Sequence, residues 1–176
     1  MREWVPVSTS PKGRLALAAV RAFGTQPFDE VTVGELAAKA GVTTGALYHH
    51  FGSKIGLYVF VRRDVERRLL DRMEGAAGAI AGRSAAINAA LLVGFDFAVR
   101  QDVQRLLGEP PAGTGDDLLV DFLTAVSRPA PPPLGRVIAA GWRAALLSVA
   151  EGVPAEHARN ALHVVQVRLD GSPTSS

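Results

Sequence analysis

Thr32-Val-Gly-Glu-Leu-Ala-Ala-Lys-Ala-Gly-Val-Thr-Thr-Gly-Ala-Leu-Tyr-His-His-Phe-Gly-Ser-Lys54 is the stretch that decides how this chain folds. Two short helical patterns meet at Ala40-Gly41-Val42. Thr32 is a natural cap for the first, and Glu35, three residues on, can reach back to the Thr32 amide and complete a capping box. Val31 and Leu36 form the matching hydrophobic staple. Leu36, Ala37 and Ala40 then line one face at helical spacing. Gly41 suits a left-handed helix exit because it has no Cβ to clash. Thr43 caps the second helix, in which Ala46, Leu47 and Phe51 suit a core. Thr43, Thr44, Gly45, Tyr48, His49 and His50 are left largely outside. Gly45 costs this helix about 1 kcal/mol relative to alanine. Close approach of its backbone to another molecule would compensate.

Small residues at a helix crossing, with hydrogen-bonding residues at the tip of the second helix, are how a protein presents a helix to the major groove of DNA. An ordinary solvated hairpin would carry much of the same pattern. The run Gly41-Val-Thr-Thr-Gly-Ala-Leu-Tyr-His-His-Phe-Gly-Ser-Lys54 separates the two, because it resembles the signature of TetR-type transcriptional repressors, with their Leu-Tyr-x-His-Phe core and Ser/Asn-Lys pair. The resemblance extends over residues 11–60 and is architectural beyond them. One position departs from the pattern: Ile55 stands where the family often has an acid, which implies a slightly weaker start to the fourth helix.

The resemblance implies particular contacts. Thr43, Thr44 and Gly45 are expected to reach base edges or flanking phosphates, and Tyr48 and His49 to meet backbone phosphate, His49 also bases. Thr32 and Lys54, at or near helix starts, are expected phosphate anchors. His50 stays open between an inward structural role and a contact.

Composition agrees. With β-branched residues scattered and little alternation, the chain reads as all-α, with about nine helices. The expected organisation is a three-helix helix-turn-helix DNA-binding domain over 1–53, a helical effector and dimerisation domain over 54–170, and a disordered tail over 171–176. The chain has no cysteine, hence no disulfide or thiolate metal site. No signal-peptide pattern and no apolar run of roughly 20 residues is present, which predicts a cytoplasmic protein without a membrane partner. Residues 1–70 carry ten Lys/Arg against six Asp/Glu, and residues 71–176 nine against eleven. The basic half is the one with the helix-turn-helix, as phosphate contact requires.

Along the chain, Ser10-Pro11 opens the first helix, and Leu15, Ala18, Ala19, Ala22 and Phe23 give its buried stripe. Ser53 caps a fourth helix expected to run to about Met73, its face formed by Leu57, Tyr58, Val61, Val65, Leu69 and Leu70. Arg62, Arg63, Arg67 and Arg68 read as a mostly solvated face. Residues 75–82 read as a frayed end or connection, 84–107 as one or two helices, 108–115 as a loop, and 116–127 as a short helix. A final pair is expected at about 134–152 and 154–169. Its apolar and small residues recur at three- and four-residue steps, and by resemblance it implies a homodimer through these two helices.

Met73, Phe95, Phe97, Phe122 and Trp142 are candidate lining for an effector pocket, although aromatics at helical spacing also suit a plain core. A mostly apolar pocket would take a small lipophilic effector. The expected function is a sequence-specific DNA-binding regulator, a repressor released from a palindromic operator by that unidentified effector. The alternative is a DNA-architectural or protein-interaction dimer without an effector. No catalytic elbow, zinc-protease pair or phosphate loop is present, so no catalytic residue, metal or cofactor is assigned. Asp116, Asp117 and Asp121 read as solvated helix-start acids, and His157 and His163 are too far apart in register to share a metal.

Overall fold

A computed structural model of the chain describes residues 9–111, 116–165 and 167–169. Among these residues all regular structure is helical. The order is α1 (Pro11–Thr25), α2 (Val33–Ala40), α3 (Thr44–Phe51), α4 (Lys54–Gly78), α5 (Arg83–Arg100), α6 (Gln104–Gly108), α7 (Leu118–Val126), α8 (Pro133–Ala150) and α9 (Ala155–Val164). The expected tail over 171–176 lies outside the described residues.

Local chemistry sets the first four helices. Ser10, Thr32, Thr43 and Ser53 each cap the helix that follows, the side-chain oxygen accepting an amide three residues on. α1, α2 and α3 then bury Leu15, Ala19, Phe23, Leu36 and Leu47 against Leu57, Tyr58 and Val61 of α4. One continuous core runs from there through Leu69 and Met73 to Phe95, Leu106, Leu123 and Trp142. α4 is shared: it packs on α1 and α3 at one end and on α5 along much of its length.

Three expectations change, and one open alternative closes. α4 continues past Met73 to Gly78, carried by the good helix formers Glu74, Ala76 and Ala77. The segment 84–107, expected as one or two helices, is two, broken at a corner where Asp102 takes a left-handed φ of 54°. α9 ends at Val164 and not near 169. Residues 167–169 are held on α5 instead, where Asn88 pairs with both the N–H and the C=O of Val167 and the Leu169 amide donates to Ser84 Oγ at 2.9 Å. Finally, Arg62 is buried, since α6 and α7 cover the face of α4 that it occupies.

The Asp102 corner presses on the end of α1. A Cβ added to Gly24 would lie 2.1 Å from the Asp102 carbonyl oxygen, so backbone meets backbone there. α6 packs against both α1 and α8. The helix-turn-helix is therefore braced from the C-terminal half at two places, α4 and the α5–α6 corner.

Candidate nucleic-acid interface

The turn between α2 and α3 is built as local rules require. Thr32 Oγ1 accepts the Glu35 amide at 3.2 Å, and Glu35 Oε2 accepts the Thr32 amide at 3.1 Å. The Thr32 amide first, and the Thr32 hydroxyl second, hold the Glu35 carboxyl below its usual range by hydrogen bonding to it. Their contribution is present above the unfolded carboxyl's range and is lost as pH falls through the lowered folded value. Gly41 closes α2 with φ 63°, and Val42 donates to the Ala37 carbonyl at 3.0 Å. Thr43 Oγ1 accepts the Ala46 amide at 3.3 Å and starts α3.

α3 rests on one fully buried side chain, Leu47, with Ala46 and Phe51 half-buried beside it. Thr43, Thr44, Gly45, Tyr48 and His49 are all exposed, Tyr48 at 54%. The hydroxyls, the phenol and the imidazole thus share one outward surface. The Thr44 and Gly45 amides, in the first turn, have no intrahelical acceptor. An added Cβ at Gly45 would touch nothing nearer than Thr43 Oγ1 at 3.7 Å. Packing within the protein therefore does not require glycine there. Thr32 is exposed at the start of α2. His50 is half-buried, its ring 5.0 Å from that of His49 and 6.3 Å from that of Phe51.

Lys54 lies differently from its expected place. Its ammonium donates to the carbonyls of Phe28 (2.9 Å) and Val31 (3.0 Å) and sits 4.1 Å from the Phe28 ring centre. It ties the start of α4 to the α1–α2 connection, which turns its charge toward the protein. Arg14 does the equivalent for the other helix end: Nε donates to the Ala40 carbonyl at 2.8 Å, closing α2 from α1. Sequence reading missed that role, because a partner 26 residues away leaves no local signal. Phe23, Phe28 and Tyr58 complete the scaffold, with ring centres 5.1 to 5.7 Å apart. Lys12 and Lys39 remain exposed near the turn.

The candidate effector residues do not converge on a pocket. Met73, Phe95, Phe97 and Trp142 are core side chains, none more than 6% exposed, and Trp142 Nε1 donates to the Leu91 carbonyl at 2.9 Å. Phe122 is half-buried at another cavity, beside Ala86 and Val126. The close approach of α4 and α5 explains this: a Cβ on Gly94 would meet Met73 Sδ at 2.9 Å. The larger apolar space is an open groove of about 640 Å³ along α8 and α9, lined by Trp142 among the candidates and by Val137, Gly141, Ala145 and Leu162, while Phe97 lines a separate cavity of about 150 Å³.

Polar space lies on the opposite flank of α4. Arg62, Glu66, Asp117 and Arg143 form a cluster in which Arg143 and Asp117 share two hydrogen bonds of 2.7 and 2.8 Å. Burial pushes the Asp117 carboxyl up, but the Arg143 hydrogen bonds and the Val120 amide bring it below its usual range. Glu66 has only Arg62 at 4.0 Å, and burial raises its pKa. Arg62 donates to Tyr58 Oη and the Leu106 carbonyl, yet its Nε and Nη2 are buried without an acceptor. Each such donor costs about 1–3 kcal/mol if left unmade. Among the described residues no three His, Asp or Glu side chains are grouped to hold a metal, and no helix is long and apolar enough to cross a membrane.

The site is thus a capped helix-turn-helix with a polar exposed tip, carried on an all-helical body. The comparisons agree. The profile of bacterial regulatory proteins of the tetR family matches residues 16–59. The HTH-type transcriptional regulator BetI of Escherichia coli is 30% identical over 80 residues, 46% of this chain and 41% of BetI. The chain thus spans less than half the length of that relative. Among solved structures, a TetR-family regulator from Pectobacterium atrosepticum superposes with TM-score 0.65 at 20% identity, over 87% of this chain and 88% of its own. The TetR-like regulator LfrR from Mycobacterium smegmatis, in complex with proflavine, gives 0.62 at 18% identity, over 88% and 93%. At such identities these two attest the fold. The chain is similar to TetR-type helix-turn-helix regulators, with the sequence match concentrated in α1 to the start of α4.

Proposed function

We propose that this protein is a sequence-specific DNA-binding transcription regulator, a homodimeric repressor that leaves a palindromic operator when a small molecule binds. The observation that carries the reading is the α3 surface: Thr43, Thr44, Tyr48 and His49 exposed around a glycine that the fold itself does not need. Thr43, Thr44 and Gly45 are assigned to base edges and adjoining phosphates, Tyr48, His49 and Thr32 to phosphates. Lys54 positions the module from behind. Residues 1–53 supply the reader and residues 54–170 the assembly and response.

Two further features support it. α8 exposes Val137 (66%), and the end of α9 with the residue after it exposes Val164 (81%) and Val165 (76%), which suits self-association. α4 and the α5–α6 corner connect that half to the reader, so an effector favouring one arrangement lowers DNA affinity by the same coupling factor. The structural neighbour LfrR, in complex with proflavine, is a small-molecule binder on the same fold.

Selection of genomic fragments by the purified protein, followed by gel shift on the enriched sequence, tests the reading. A two-fold-symmetric site is expected. Uniform recovery of unrelated fragments would indicate an architectural DNA binder, and recovery of none would remove the DNA function.

A further inference from the structure

The exposed surface of α3 is defined by what it lacks. Thr43, Thr44, Gly45, Tyr48 and His49 face solvent, and none of them is arginine, lysine, asparagine or glutamine. The paired hydrogen bonds that single out guanine come from arginine or lysine, and those that single out adenine from asparagine or glutamine. The preceding turn, Gly41 and Val42, does not supply them. The cations of the module stand on other elements. Lys39 is in the last turn of α2, and Lys12 of α1 sits over the Phe51 and Phe60 rings. Arg14 and Lys54 donate to carbonyls of the protein itself.

The surface offers methyl groups and a gap instead. Thr43 Oγ1 is engaged by the Ala46 amide at 3.3 Å, which leaves Cγ2 as the unengaged end of an exposed side chain. Thr44 is exposed beside it and makes no side-chain hydrogen bond among the described residues. Thr44 and Tyr48, four apart, share one row of the helix, and Gly45 and His49 the next. A Cβ at Gly45 would meet nothing nearer than Thr43 Oγ1 at 3.7 Å, so the backbone lies open between these side chains. In the major groove the thymine C5 methyl is the apolar base-edge group, and it projects by a single carbon.

We infer that α3 reads thymine. Thymine methyls pack on the Thr43 and Thr44 methyl groups, and the bare Gly45 backbone gives the base edge room to approach. The inference rests on the regulator reading above and names the base chemistry of that same surface. One consequence separates it from readout by hydrogen bonding. Deoxyuridine pairs as thymine does and keeps the O4 acceptor, but it lacks the methyl. 5-Methylcytosine restores a methyl at the same place, so it should be tolerated better than cytosine there.

The test begins with random duplex DNA enriched by the full chain. Deoxyuridine then replaces each thymine of the enriched half-site in turn. Replacement of at least one thymine in each half-site should weaken binding about fourfold, the worth of one buried methyl. The double variant Thr43→Ser, Thr44→Ser keeps both hydroxyls, and serine caps a helix as well as threonine does. It should therefore fold and bind, yet no longer distinguish thymine from deoxyuridine. Thr44→Val, which keeps the methyl and loses the hydroxyl, should retain the distinction. An enriched half-site without thymine, equal affinity for thymine and deoxyuridine throughout, or a preference that survives in the double serine variant overturns the inference and leaves the regulator reading standing. If no sequence is enriched, the regulator reading falls and this inference falls with it.

Discussion

The tip of α3 and the outer face of α8 are both exposed and are opposite in chemistry. The first offers two threonine hydroxyls, a phenol and an imidazole around a bare glycine backbone. The second offers Val137, Ala140, Gly141 and Ala144, with Arg136 as the exposed charge in its first turn. Water solvates the first surface well, and the gain from covering it depends on matched polar partners such as phosphates and base edges. The second gains from being covered by almost any well-fitting apolar surface, at roughly 25 cal/mol for each Å² removed from water. The first face is thus suited to discriminate and the second to assemble. In a two-fold dimer, the second fixes how far apart two copies of the first are held.

Substitutions can break this contrast. The largest effect is expected from Val137→Glu, which would place an unpaired charge in a seam between α8 faces. The dimer dissociation constant, read by sedimentation, should rise at least about 100-fold, with operator binding falling alongside. An unaltered dimer would detach the α8 face from assembly. Next is Gly24→Ala, a change at the joint between the two halves, where the new Cβ would lie 2.1 Å from the Asp102 oxygen. Denaturant unfolding should show a loss of about 1–3 kcal/mol, the usual cost of overpacking. A neutral result would mean that α1 and the α5–α6 corner are not rigidly braced.

Tyr48→Ala should weaken operator binding about tenfold, or about 1.4 kcal/mol, while leaving the melting temperature unchanged. A fall in melting temperature would instead make Tyr48 a packing residue. The smallest and most diagnostic change is Gly45→Ala. It should stabilise the fold by about 0.5–1 kcal/mol, because alanine favours helix and the space is open. Operator affinity should nonetheless drop. Improvement in both would show that nothing approaches that backbone.

How much was legible in the sequence follows from the range of each interaction. Thr32, Glu35, Gly41 and Thr43 do in the structure what their spacing predicts, since capping involves partners three or four residues away. Arg14 and Lys54 were opaque in their roles because each reaches a carbonyl more than 20 residues distant. Arg62 looked like one more cation in a solvated run. Only the covering of α4 by α6 and α7 makes it a buried donor without an acceptor. Met73, Phe95, Phe97 and Trp142 illustrate a different limit: spacing that brings aromatics to one helix face cannot say whether a cavity or another helix lies opposite. For Met73 and Phe95 it is another helix, whereas Phe97 and Trp142 each line a different cavity. Beyond α9, Val167 is held by Asn88, 79 residues away in sequence.

The central claim is that the exposed face of α3 reads a particular DNA sequence. Its most direct test is a competition titration of the enriched operator against a scrambled duplex of equal length at about 150 mM salt. The account predicts preference for the operator by a factor of about 10³ or more. Comparable affinity for both duplexes, falling together as salt is raised, would contradict it and leave only phosphate attraction.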